Sequence, residues 1–270
     1  MNKIHFLLFA LSLLSLPNMA QTYDIFIVAG QSNAQGWKGD AAQYPIDVDG
    51  LDPNIPMFYT FPEKQKVNSS NGKWITLGPQ GGRFEKGHFG PEISFARQLK
   101  TKGYQPAIFK FSKGATSLAK SWKRPGENGL TDKMIASYHK AMKALKEDGH
   151  TGVVRGFIWI QGESDSHGKS AVAYRKNLSA IIKYVRNDLT NVPNLPVILG
   201  IDEQHKFVKK TPLVLESHKS FAAKDPNAIF TSMLGLEKAD KTHLTPTALI
   251  AHGERLSQAY LTLVGDKSKQ

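Results

Sequence analysis

The stretch Ile27-Val28-Ala29-Gly30-Gln31-Ser32-Asn33-Ala34-Gln35-Gly36 decides the fold. An apolar, β-branched run ends at a glycine, and a serine follows between two amide side chains. Such a run reads as a buried strand, and the turn after a buried strand is where an α/β protein exposes its chemistry. Glycines at 30 and 36 let the backbone bend close to a ligand. A helix starting at Ser32 presents backbone N–H groups and the positive end of its dipole to a bound carbonyl. A serine at a helix start also serves as a plain cap, so this stretch gains meaning only with partners.

Outward from it, four further runs read as strands: Ala107 to Phe111, Val153 to Ile160, Val197 to Ile201 and Ile229 to Met233, with Tyr23 to Val28 as the first. Amphipathic segments separate them, the alternation expected of a parallel sheet with helices on both faces. Ala171 to Leu189 is the clearest helix, because Val172, Leu178, Ile181, Ile182, Val185 and Leu189 recur at three- and four-residue steps and make one apolar stripe. Gly90-Pro91-Glu92 opens another, with proline in the first turn and an acid near the positive end of the dipole. Lys38 to Lys86 breaks the alternation. It is rich in Pro, Gly, Asn and Asp and reads as a long excursion that either roofs a site or lies on the surface.

The chain has 270 residues and no cysteine, which excludes a disulfide framework and thiolate metal sites. Residues 1–20 read as an export signal: Lys3, an apolar stretch from Phe6 to Leu16, and a cleavage region at Pro17-Asn18-Met19-Ala20. That stretch is short for a bilayer, and no later one is longer, so no integral membrane segment is expected in residues 21–270, which read as one domain. The localisation expected is periplasmic or secreted. The formal charge is +12, or +11 without Lys3. The excess either aids solubility or attracts an acidic polymer. Nucleic acid is not the expected partner, since no basic stretch is interleaved with aromatics.

Two more polar clusters stand at strand ends. Ile160-Gln161-Gly162-Glu163-Ser164-Asp165 runs an apolar strand into an amide and two carboxylates, which puts Gln161 in reach of an oxyanion and Glu163 behind it as an orienting group. Asp240-Lys241-Thr242-His243 precedes the last helix. A carboxylate three residues before a histidine can hold its Nδ1–H so that Nε2 faces a nucleophile. A doubly wound sheet brings these late residues to Ser32.

GQSNAQG, FSKGATSL, WIQGESD and DKTHLTP, in that order, resemble the SGNH hydrolase superfamily, and within it the branch of sialate O-acetylesterase and carbohydrate esterase family six, the acetylxylan esterases. The resemblance implies a three-layer α/β/α sandwich around a parallel, flavodoxin-like five-stranded sheet. It implies Ser32 as nucleophile, His243 as general base and acid, and Asp240 as its orienter. Oxyanion donors map to the Ser32 and Gly114 N–H groups and the Gln161 side chain; Ala115 stands where many relatives carry a second glycine. Acyl transfer of this kind uses no metal and no cofactor.

Gln31 and Asn33, flanking the serine, and Glu163 are read as supporting or substrate-contacting residues. Trp37 and Trp122 either offer faces to a sugar ring or pack in the core, and His205 follows the fourth strand, near the site. The function expected is an exported esterase that removes O-acetyl groups from acetylxylan or a related acetylated carbohydrate, with the charge mildly favouring an acidic one. Sialate O-acetylesterase is the alternative within this reading. A non-catalytic glycan-binding module on a hydrolase scaffold is the alternative from another class.

Overall fold

In the computed structural model, which describes residues 20–62 and 67–265, the first strand, β1 (Thr22–Gly30), lies at the centre of the sheet. The export reading falls almost wholly on residues 1–19, outside the described ones. Beside β1 on one side is β5 (Pro106–Ser112) and then β2 (Pro56–Pro62). On the other side follow β6 (Thr151–Ile160), β7 (Val197–Ile201) and β8 (Ala228–Ser232), and all these neighbours pair in parallel. Two short strands, β3 (Val67–Ser69) and β4 (Ile75–Thr76), pair antiparallel to β2. The sheet therefore has eight strands instead of the expected five.

The added strands come from the 38–86 excursion. Proline, asparagine and aspartate flank Met57-Phe58-Tyr59-Thr60-Phe61 and mask it, yet aromatic and β-branched residues of this kind suit a pleated surface.

Side chains alternate along β1, and this alternation builds two cores. Ile25, Ile27 and Ala29 join Phe109, Phe111, Phe157, Trp159 and Leu199 on one face, beneath α3 (Leu130–Glu147), α4 (Gly168–Tyr184) and α6 (Leu213–Lys224). Phe26 and Val28 join Ile108, Ile158, Ile160 and Ile198 on the other, beneath α2 (Glu92–Thr101) and α7 (Pro246–Val264). Burying each large apolar side chain contributes about 1.5–3 kcal/mol before conformational entropy is counted.

The expected helix over 171–189 is α4 continued by a π-helical turn, Val185–Leu189. Its buried stripe runs through Ala171, Tyr174, Leu178, Ile181, Ile182 and Val185. Val172 is not in it and is 75% exposed, because Ala171 and Tyr174 occupy the inward positions of that turn. Pro91 is the N-cap of α2, one position earlier than its first turn.

Register places the functional loops. Gly30 lies beside Ser112 of β5 and Ile160 of β6, Ile160 beside Gly200, and Ile201 beside Ser232. The strands thus end at one level, and the segments after β1, β5, β6, β7 and β8 share one edge. Gly30 (φ +142°) makes the first turn possible: a Cβ there would lie 2.0 Å from the Ile160 carbonyl oxygen.

Candidate active site

Ser32 begins α1 (Ser32–Gln35), a single turn launched from β1, and is 3% exposed. The Gln31 N–H donates to Ile160 O (2.9 Å), and the N–H groups of Gly36 and Trp37 both donate to Ser32 O (3.0 Å each). Gln31 contributes no side-chain cap, and its buried Oε1 has no partner among the described residues.

His243 sits in the loop between β8 and α7. The Asp240 carboxylate accepts from the backbone N–H of Thr242 (2.8 Å) and of His243 (2.9 Å), and both of its oxygens lie at 2.9–3.0 Å from His243 Nδ1. One carboxylate thus shapes the turn and holds the imidazole, which fixes the proton on Nδ1 and leaves Nε2 as acceptor. Burial raises the Asp240 carboxyl, but the bonds from His243 and Thr242 outweigh it and bring it to about 2. Asp240 is therefore ionised at neutral pH. Lys38 Nζ adds a cation 3.7 Å from Asp240 Oδ2.

The two ends of the chain meet here. Asn33 Nδ2 donates to Thr242 O (3.3 Å), and its Oδ1 accepts from Leu244 N (3.2 Å). Trp37 stacks on His243 with ring centroids 5.9 Å apart and 30° between planes. The Arg83 guanidinium lies 3.2 Å over the Trp37 ring. His243 and Arg83 both pack on the indole ring, which stays partly exposed. Trp122 is a core residue, wholly buried at 4.8 Å from Trp159 and 5.8 Å from Phe111. For Trp122 the core alternative therefore holds and the sugar-face one does not.

Gly114 follows β5 and closes on the serine. A Cβ on it would stand 3.3 Å from the Trp37 ring edge and 3.6 Å from Ser32 Cβ, so a side chain there would crowd the space over Ser32. Its N–H donates to the Gln35 side-chain oxygen (3.1 Å). Ser32 and Gln35, three residues apart, share one face of α1. Gln35, Trp37, Phe61, Pro62, Ser112, Lys113 and Gly114 line a cavity of about 210 Å³, of which Phe61 and Pro62 come from β2. Sequence reasoning missed Gln35 and the β2 wall.

Gln161 is where the structure departs most from expectation. It is fully buried, and Nε2 donates to Thr116 O (3.0 Å) and Asp165 Oδ2 (2.6 Å), while Oε1 accepts from the Tyr174 hydroxyl (2.9 Å). Both amide protons are committed, as is the Gly114 N–H, so Gln161 meets an oxyanion only by exchanging an acceptor; the competing one is Asp165, four residues on. Asp165 also accepts from Ser117 Oγ and from the N–H groups of Leu118 and Ala119. The WIQGESD segment thus pins the loop that follows Gly114. Tyr174 passes the network on to His218 Nε2 (2.9 Å), whose imidazole burial lowers to about 3, keeping it neutral.

Glu163 is buried with one oxygen accepting from Asp202 N (3.2 Å) and the other without a partner among the described residues. Burial pushes its carboxyl up to about 7, and the nearby Asp202 charge adds to the rise. Its bond from Asp202 N ties the loop after β6 to the loop after β7. His205 caps α5 (Lys206–Lys210), accepting from Phe207 N at Nδ1 (3.3 Å), and burial lowers its pKa. It lies close enough to His243 for their charges to interact. Among the described residues no group of three His, Cys, Asp or Glu is arranged to hold a metal, and no helix is long and apolar enough to cross a membrane.

The family model described as "Carbohydrate esterase, sialic acid-specific acetylesterase" matches residues 22–262. A probable carbohydrate esterase of Arabidopsis thaliana, At4g34215, is 29% identical over 180 residues, 64% of this chain; the match spans 64% of the relative's own length. The crystal structure of an Arabidopsis thaliana protein, AT4G34215, superposes with a TM-score of 0.66 at 24% identity over 88% of this chain and 98% of that one. NanS gives 0.63 at 15% identity over 90% of this chain and 98% of that one. XAC1771, a carbohydrate acetylesterase from Xanthomonas citri, gives 0.59 at 20% identity over 89% and 56%. These superpositions carry the fold.

Proposed function

Since the chain belongs to the carbohydrate esterase, sialic acid-specific acetylesterase family, we propose that it removes O-acetyl groups from carbohydrate through Ser32, His243 and Asp240. The observation that carries this is the two-oxygen grip of Asp240 on His243 Nδ1, in a loop joined to the serine's own helix by Asn33.

In this mechanism His243 Nε2 takes the Ser32 hydroxyl proton as Oγ bonds to the acetyl carbon. The tetrahedral oxyanion is met by the Ser32 N–H at the start of α1. The Gly114 N–H joins once it exchanges Gln35 Oε1 for the oxyanion. The C–O bond to the sugar breaks, and the departing oxygen takes the proton from His243. Water then gives a proton to Nε2 and attacks the acetyl-serine, releasing acetate and restoring the hydroxyl.

Lys38, Arg83 and Lys113 surround this centre. Their charge, with the family match, favours an acidic acetylated sugar such as a sialic acid over neutral xylan. Residues 1–20 direct export, so the substrate is met outside the cytoplasm. Acetate release from O-acetylated sialosides and from acetylated xylan, side by side, tests the reading. The sialoside is expected to be the better substrate. Ser32→Ala is expected to abolish release from both, and an active Ser32→Ala protein would reject the reading.

A further inference from the structure

We propose that Asn33 is a positioning residue that sets the distance between the nucleophile and its base, by pairing with the backbone on both sides of His243. This rests on the reading of Ser32 and His243 given above.

In an extended chain the N–H and C=O of one residue point to one side, and the preceding C=O and following N–H point to the other. His243 follows this pattern. Its own N–H donates to Asp240 Oδ1 (2.9 Å) and its own C=O accepts from Ala239 N (2.9 Å), both within its loop. The groups on the opposite side, Thr242 C=O and Leu244 N–H, meet the single carboxamide of Asn33. That side chain acts as a one-residue strand partner. All four backbone groups around His243 are satisfied, two by the loop and two by the helix that begins with Ser32.

The chemistry selects asparagine. One planar group must donate to a carbonyl and accept from an N–H at once. Aspartate lacks the donor and sets an oxygen against Thr242 O. Glutamine carries the group one methylene too far. Alanine leaves a part-buried carbonyl and a buried N–H unpaired. These bonds span 209 and 211 residues of sequence, and Asn33 adjoins the nucleophile covalently. The carboxamide therefore ties the base to the serine's backbone directly, whereas Asp240 orients the imidazole only within its own loop.

The test uses the full chain with Asn33→Ala, Asn33→Gln and Asn33→Asp, and Ser32→Ala as control. Steady-state turnover of p-nitrophenyl acetate, the labelling rate of Ser32 by a fluorophosphonate, and far-UV circular dichroism with thermal melting are measured on each. A base shifted by about 1 Å costs about 100-fold. In each folded Asn33 variant kcat is therefore expected to fall about 100-fold with KM within about twofold, and labelling to slow in parallel. A merely structural role would lower the melting temperature while folded protein kept its kcat and labelling rate, and that result overturns the proposal. Should Asn33→Ala fail to fold, Asn33→Gln, which keeps the polar group, decides by the same criterion. A Ser32→Ala protein that still turns over overturns the underlying reading instead.

Discussion

Lys110→Met is expected to destabilise the protein by about 3–5 kcal/mol, and the reason lies in what the ammonium touches. Lys110 stands in β5, wholly buried, and its three protons meet three acceptors: Glu92 Oε2 at 2.6 Å, Gln80 Oε1 at 2.9 Å and Gln35 O at 3.1 Å. Glu92 is equally buried, and its other oxygen accepts from Gly90 N and Gln80 Nε2, both at 2.9 Å. Burial pulls the Lys110 pKa down, and Glu92 opposes it. Removing the lysine alone leaves a carboxylate in the interior without its cation, which costs about 3–5 kcal/mol. At about 2–4 °C per kcal/mol for a chain of this size, the melting temperature falls by about 10 °C. Adding Glu92→Gln removes the stranded charge and is expected to restore more than half of that loss. Reversible urea unfolding followed by circular dichroism measures both proteins. A single variant that loses less than about 1 kcal/mol, or a double variant no more stable than the single, would refute the ion-pair reasoning. The pair matters to the site because Gln35 O is the last carbonyl of the turn that begins with Ser32.

Two further outcomes follow from one buried and one exposed carboxylate. The Glu163 carboxyl rises from its ordinary 4.5 to about 7 on folding. The stability it contributes is therefore full below pH 4.5 and lost as pH rises through 7, by about 3 kcal/mol in all. Glu163→Gln should flatten that part of the unfolding free energy between pH 5 and pH 8, and parallel curves for the two proteins would contradict it. Asp240→Asn keeps an oxygen for the Thr242 and His243 N–H groups but sets an amide against Nδ1, favouring the wrong imidazole tautomer. A fall in kcat of about 10⁴-fold is expected, as for the equivalent change in a serine protease triad, and a loss under tenfold would show that Asp240 does not orient the base.

The central strands were legible in the sequence because β-branched apolar runs between amphipathic segments leave few alternatives, and the clusters at their ends followed from the parallel topology. β2 was not legible, since its flanks carry turn residues and its pairing with β5 is long-range. Gln161 shows the limit of reading a residue by its place: its type suits an oxyanion donor, but Asp165 and Thr116 take both protons. For Trp37, likewise, only the fold reveals His243 and Arg83 packed on its ring. Lys110 gives no sign in FKFS of the carboxylate that meets it, because that partner, Glu92, comes from α2.

The most direct test is to mix the protein with p-nitrophenyl acetate, quench within the first turnovers, digest, and locate the acetyl group by mass spectrometry. One acetyl on Ser32, absent in Ser32→Ala and accumulating in Asp240→Asn only in proportion to its slower turnover, is the expected result. Undiminished ester hydrolysis with Ser32 never acetylated, or acetylation confined to another residue, would contradict the account.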